Sequence, residues 1–182
     1  REVFEKVVSG GGWNAFGLKM LSDHPDAVLR AILQSSGRHD ESHSPRGVPV
    51  GAITGLMART QKRIVRRYYV GTPDIAHVRD AEARYYTLAR FALVRDVAFA
   101  VTANPATLIR IAETMSARAA DLLRDVHDGT LSGRVVADEA LRRRLEGRLR
   151  PEPRRAAELE AVAASRGRLA PDAAWRLSFL AR

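Results

Sequence analysis

The sequence contains no cysteine. A disulfide scaffold, a thiolate metal site and a cysteine nucleophile are therefore excluded. Lysine is scarce as well. Lys6, Lys19 and Lys62 are the only lysines among thirty cationic residues, so arginine carries the positive charge. Aromatic residues make up 6% of the chain, which leaves little for the base-stacking platforms that grip single-stranded nucleic acid. No uninterrupted apolar run is long enough to span a bilayer. The opening residues, Arg1-Glu-Val-Phe-Glu-Lys6, are charged and lack the apolar core of a secretory signal. A cytoplasmic protein with no membrane partner is expected. The ends carry an expectation of their own. The chain opens on Arg1 and closes on Leu177-Ser-Phe-Leu-Ala-Arg182, an apolar run that reads as a strand just begun. An internal fragment of a larger protein is expected.

What is present fits one folded domain. The chain has 182 residues, 46% apolar and 28% charged, enough for a real core and ordinary for a globular protein. The net charge of +9 admits a basic helical module that binds nucleic acid. Arginine and alanine are abundant along most of the chain, and compositional bias accounts for the same excess.

Along the chain, residues 1–24 show little pattern, and Ser9-Gly-Gly-Gly12 predicts a loop. Pro25 after Asp23 predicts a helix start with Asp as cap, although Val28–Gln34 suits a strand equally well. A long loop is predicted over Ser35–Gly51, and the basic run Gln61–Arg67 reads as a solvated helix face. Gly71-Thr-Pro73 predicts a turn. Asp80 then caps a helix with Tyr85, Leu88, Ala89 and Ala92 on one stripe. Val97–Val101 is short, apolar and partly β-branched, which predicts a buried strand. Asn104 and Pro105 predict the start of one long helix, with apolar residues from Leu108 to Val126 at three- and four-residue spacing and a stop at Gly129. Helices over about 137–147 and 154–165 follow, the latter closed by Gly167, then a helical turn at Pro171–Trp175. The pattern predicts a mixed α/β fold.

Few residues point to chemistry. His39 and His43 stand four apart, but Ser, Pro and Gly around them will not hold the helix that a paired-histidine metal site needs. Ser35-Ser-Gly-Arg-His-Asp40 holds hydroxyls, a base and a carboxylate, yet lacks the strand-to-helix setting of a nucleophile elbow, and a polar loop explains it. His127 suits a helix C-terminus, where the dipole favours a cation. The best local candidate is Thr102-Ala-Asn-Pro105. There a strand ends and a helix begins, and such junctions often face a ligand in α/β proteins.

Several stretches carry a resemblance. These are Gly47-Val-Pro-Val-Gly-Ala-Ile-Thr54, Ala83-Arg-Tyr-Tyr-Thr-Leu-Ala-Arg-Phe-Ala92, Val101–Arg110, Leu122-Leu-Arg-Asp-Val-His-Asp-Gly-Thr-Leu131, Leu149–Arg155 and Arg166–Leu169. In their order and spacing they resemble the auxin-responsive promoter family, the acyl-acid amido synthetases of the adenylate-forming superfamily. The resemblance implies that residues 44–182 are part of the large N-terminal, acyl-acid-binding domain, helix-rich and mixed α/β. Residues 1–43 match weakly and belong to the same domain or are poorly ordered. It also implies a ligase reaction: a small carboxylic acid is adenylated with ATP and Mg²⁺, and an amino acid then attacks to give an amide. The family's nucleotide motifs fall outside this sequence, so no catalytic or ATP-contacting residue is assigned, and the fragment alone is expected to be inactive. Carried over is part of the acid pocket wall: Ile53, Thr54 and Leu56 on one segment, and Thr102, Asn104, Pro105 and Leu108 on the other. A non-catalytic interaction domain with the same fold is a further reading.

Overall fold

The computed structural model describes residues 11–102, 104–132, 136 and 138–177. Helix α1 (Gly12–Asp23) comes first, and α2 (Pro25–Val28) follows after His24. The predicted glycine loop is thus partly a helix start, because Gly12 enters α1, while Ser9 and Gly10 lie outside the described residues. Glycine favours a helix weakly, but Met20 packs on the small buried cluster of Ala27, Ala98 and Phe99. Such tertiary packing outweighs propensity. Asp23 ends α1 and pairs with Lys19 one turn back at 2.6 Å, so it does not cap α2 as the sequence suggested. The ambiguity after Pro25 resolves as both elements: a four-residue helix, then strand β1 (Ala31–Gln34).

The predicted long loop carries one small hairpin, β2 (Ser42–His43) against β3 (Pro49–Val50), turning at Gly47 with φ 72°. Two short helices follow, α3 (Ile53–Thr60) and α4 (Arg63–Arg66). A 3₁₀ turn at Pro73–His77 is capped by the Thr72 hydroxyl, which accepts from Asp74 N at 3.0 Å. Helix α5 (Ala81–Leu93) starts where predicted, with the Asp80 carboxylate accepting from Ala83 N at 2.7 Å. Strand β4 (Val97–Val101) also stands as predicted.

The single helix predicted from Pro105 to Gly129 is two, α6 (Ala106–Ala117) and α7 (Ala119–Asp128). The break is Arg118, at φ −115° and ψ 27°. Its guanidinium lies over the Tyr86 ring, 5.3 Å from the centroid, and bonds Asp121. The apolar spacing runs on through the break and so conceals it. Gly129 closes α7 at φ 75°. Then come α8 (Glu139–Glu146), capped by Asp138, α9 (Pro153–Arg166), closed by Gly167 at φ 70°, and α10 (Pro171–Ala174). The apolar strand predicted at the end of the chain lies largely outside the described residues.

Strand β1 pairs in parallel with β4, from Ala31 opposite Val97 to Gln34 opposite Val101. On its other edge a parallel bridge joins Ile32 to Tyr69, with Ile32 N donating to Tyr68 O and Val70 N to Ile32 O, each at 2.8 Å. β1 is therefore the middle of three segments that run the same way. At their start, Asp96 accepts from Arg30 at 2.7 and 2.8 Å and is also paired with Arg176. Helices α5 to α10 and these strands share one apolar core. Of the predicted stripe Leu88, Ala89 and Ala92 are buried and Tyr85 is half-buried, but every residue from Tyr86 to Leu93 is buried too. The structure is helix-rich with a small parallel sheet, the mixed α/β class expected. Among the described residues no helix is long and apolar enough to cross a membrane.

Candidate functional site

Three loops leave the same end of the parallel segments: Ser35–Asp40 after β1, Gly71–Thr72 after Tyr69, and the turn at Thr102–Asn104 after β4. In open parallel sheets the carboxyl ends of the strands are where ligands bind. Both groups of residues assigned to the acid pocket lie here. Ser35 N donates to Val101 O at 3.2 Å, and further along the same loop Gly37 N donates to Thr54 Oγ1, also at 3.2 Å. One short loop therefore connects the two groups.

Close backbone contact fixes α3 against that loop. Ala52 N donates to Arg38 O at 2.6 Å. A Cβ on Gly55 would stand 2.2 Å from Gly37 O, so only glycine permits this approach. Thr54 is thereby held on the loop. Ile53 and Leu56 are 59% and 40% exposed.

On the other side the residues tie a turn. Thr102 Oγ1 donates to Asn104 O at 3.1 Å and accepts from Asn104 N at 3.3 Å. Asn104 Oδ1 accepts from Ala106 N at 3.0 Å, the capping role expected of it. Thr107 N and Leu108 N are occupied by Asn104 O and Pro105 O. Asn104 and Pro105 are exposed, Thr102 and Leu108 half-buried.

Between β1 and the Tyr69 segment the loops enclose a cavity of about 40 Å³, bounded by Gln34, Ser36, Gln61, Tyr69, Thr72 and Arg84 among others. Gln61 Nε2 donates to Gln34 Oε1 at 3.3 Å. Burial pushes the Tyr69 phenol above its ordinary value, against a bond from Gln61, so the phenol stays neutral and can donate. A cavity of about 10–15 Å³ on this measure holds one water, so the space suits a few waters or a small polar group.

A polar cluster that sequence reading passed over as a loop lies alongside. The Asp40 carboxylate is 3.3 Å from Arg38 Nε, 3.8 Å from His39 Nδ1 and 3.9 Å from His77 Nε2. His39 Nε2 is 2.6 Å from an Arg59 nitrogen. Burial pushes the Asp40 carboxyl up, but the Arg38 bond and the charges of Arg38, His39 and His77 outweigh it, and its pKa falls below the usual value. His77 was not singled out from sequence. It is distant from Asp40 along the chain, and only the pairing of the Tyr69 segment with β1 brings the two together. Among the described residues no group of three or more His, Asp or Glu could hold a metal ion.

The sequence profile of the GH3 family N-terminal domain matches residues 9–177. The chain belongs to that family, the auxin-responsive promoter family of acyl-acid amido synthetases. The match takes in residues 9–43, and so α1, α2 and β1 are GH3 elements as much as the rest. No curated protein matches the chain.

Nucleotide and Mg²⁺, which the GH3 chemistry implies, do not fit the residues described at this end of the sheet. The cavity is far smaller than a nucleotide, and the carboxylate beside it, Asp40, is engaged by Arg38. What the GH3 domain does present is a cluster of hydroxyls, amides and cations around Thr54, Gln61, Tyr69, Arg38 and Arg59.

Proposed function

We propose that this chain forms the acyl-acid side of an ATP-dependent amido synthetase that joins a small carboxylic acid to an amino acid. The family match over residues 9–177 carries the reading. The geometry supports it in one respect: Thr54 and Thr102, on segments well separated in sequence, both adjoin the loop after β1, at the strand ends where α/β proteins take ligands. Ile53, Leu56, Asn104, Pro105 and Leu108 extend that wall in this reading. Nucleotide, Mg²⁺ and the amino acid are assigned to other parts of the enzyme, and the cytoplasm is its compartment.

The test is acid-dependent exchange of pyrophosphate into ATP by the protein expressed from its full reading frame. Exchange is expected with at least one member of a panel of aryl and alkyl carboxylic acids. Thr54→Val and Leu108→Arg should each lower it about tenfold or more, with unchanged unfolding midpoints. Exchange with no acid in the panel would leave the non-catalytic interaction domain as the reading. Full exchange in both variants would remove Thr54 and Leu108 from the pocket and leave the reaction standing.

A further inference from the structure

Between Glu41 and Asp74 the sequence has no acidic residue but six cationic ones, five of them within Arg59–Arg67. The same stretch holds six of the ten large apolar side chains that are exposed among the described residues. On α3 the solvent side is drawn by three-residue spacing: Ile53, Leu56 and Arg59 are exposed, while Gly55 is buried and Thr54, Met57 and Ala58 are half-buried. Helix α4 has no buried residue at all, and Ile64 and Val65 are 63% and 40% exposed. The two helices form one surface, because Arg66 Nη2 donates to Arg59 O at 3.0 Å and Gln61 O at 3.4 Å. Lys62 and Arg63 are exposed on it.

An exposed surface that is both cationic and aliphatic has an occupant of matching chemistry. Charge of a single sign from Ser42 to Pro73 suits a uniformly anionic partner. A protein partner would have to meet it with a patch of acidic residues. Uniformly anionic partners include nucleic acid, an acidic polypeptide and an anionic lipid surface. The apolar component decides among them. Nucleic acid is held by stacking on aromatic rings, and here Tyr68 and Tyr69 are half-buried, with Arg67 already over the Tyr68 ring at 4.9 Å. Exposed Ile, Leu and Val side chains gain from entering the acyl boundary of a bilayer while cations meet its headgroups.

We propose that the α3–α4 face docks the protein peripherally on an anionic lipid surface. No spanning helix is involved; Ile53 and Leu56 are shared with the wall assigned to the acid, so Lys62, Arg63, Ile64 and Val65 carry the test.

The experiment is flotation of the full chain with vesicles of phosphatidylcholine alone and with about 30% phosphatidylserine. Retention is expected on the anionic vesicles only, falling steeply as salt is raised. The double variant Lys62→Glu with Arg63→Glu should bind at least about tenfold more weakly. Ile64→Ser with Val65→Ser should weaken binding several-fold while leaving the salt dependence unchanged. All four side chains are exposed, so circular dichroism should show both variants folded. Absence of binding, or equal binding to neutral vesicles, overturns the proposal. So does tighter retention on duplex DNA or on polyglutamate than on the vesicles, which would name nucleic acid or an acidic polypeptide as the partner. Binding insensitive to the Ile64 and Val65 changes overturns the apolar half of the argument and the choice of lipid with it.

Discussion

Arg90 and Arg63 show how differently one residue type is used in two parts of this chain. Arg90, on α5, has no exposed surface. Its Nε donates to Thr130 O at 3.2 Å, while Nη1 and Nη2 find no hydrogen-bond partner among the described residues. Burial pulls its pKa below the ordinary value, and the charge of Asp125 works against that. Asp125 is buried beside it and accepts from Tyr86 Oη, Thr130 Oγ1 and Ser132 N at 2.7–2.9 Å. Arg63, on α4, is exposed. In the first region a buried cation and carboxylate stand among fixed partners, and in the second the cations stand on the surface. A net charge of +9 is thus no single property. Part of it is structural and part is offered to a partner.

The largest effect should come from breaking the buried arrangement. Asp125→Ala leaves the Arg90 charge uncompensated and frees three donors, and should cost about 3–5 kcal/mol in denaturant unfolding. Arg90→Met should cost clearly less, because Asp125 keeps its three donors and the two orphaned nitrogens vanish with the side chain. Equal losses in the two variants would mean that Arg90 matters as a cation and not as a space-filling stem. A smaller effect is expected at Asp96. Arg30 and Arg176 hydrogen bonds hold its carboxyl at about 2, against an ordinary 3.8. The group therefore contributes stability above pH 3.8 that is lost as the pH falls towards 2. The carboxylate is 38% exposed, so Asp96→Asn should cost only about 1 kcal/mol at neutral pH and should flatten the acid limb of a stability profile. The smallest effect belongs to α4. Ile64→Ser should shift stability by less than about 0.5 kcal/mol, and a larger loss would show that α4 packs on something within the chain.

What the sequence revealed depended on the range of the interaction. Asp80, Asn104, Gly129 and Gly167 were readable because a cap or a left-handed stop is settled within about one helical turn. The break at Arg118 was not, since it depends on the Tyr86 ring, which belongs to a different helix. Strand β4 was visible as an apolar run, but nothing local says that it pairs with β1, from which three helices and a 3₁₀ turn separate it in the chain. The candidate site divides along the same line. The Thr102–Asn104 turn was legible as a strand-to-helix junction. The meeting of Gly37 with Thr54, and of Asp40 with His77, came only with the folded chain. The family resemblance reached further than the local physics because an ordered series of short motifs records the whole arrangement at once.

The Asp96 carboxylate has a consequence in time. It gathers Arg30, which leaves the ribosome well before it, and Arg176, which leaves long after. The first partnership can form as soon as β4 has emerged, and it brings the starts of β1 and β4 together while most of the helices are still being made. The second has to wait until α6 to α10 have all been synthesised. One side chain thus serves two stages of assembly: it first aligns a nascent pair of strands, and later fastens the end of the helical layer to the same point.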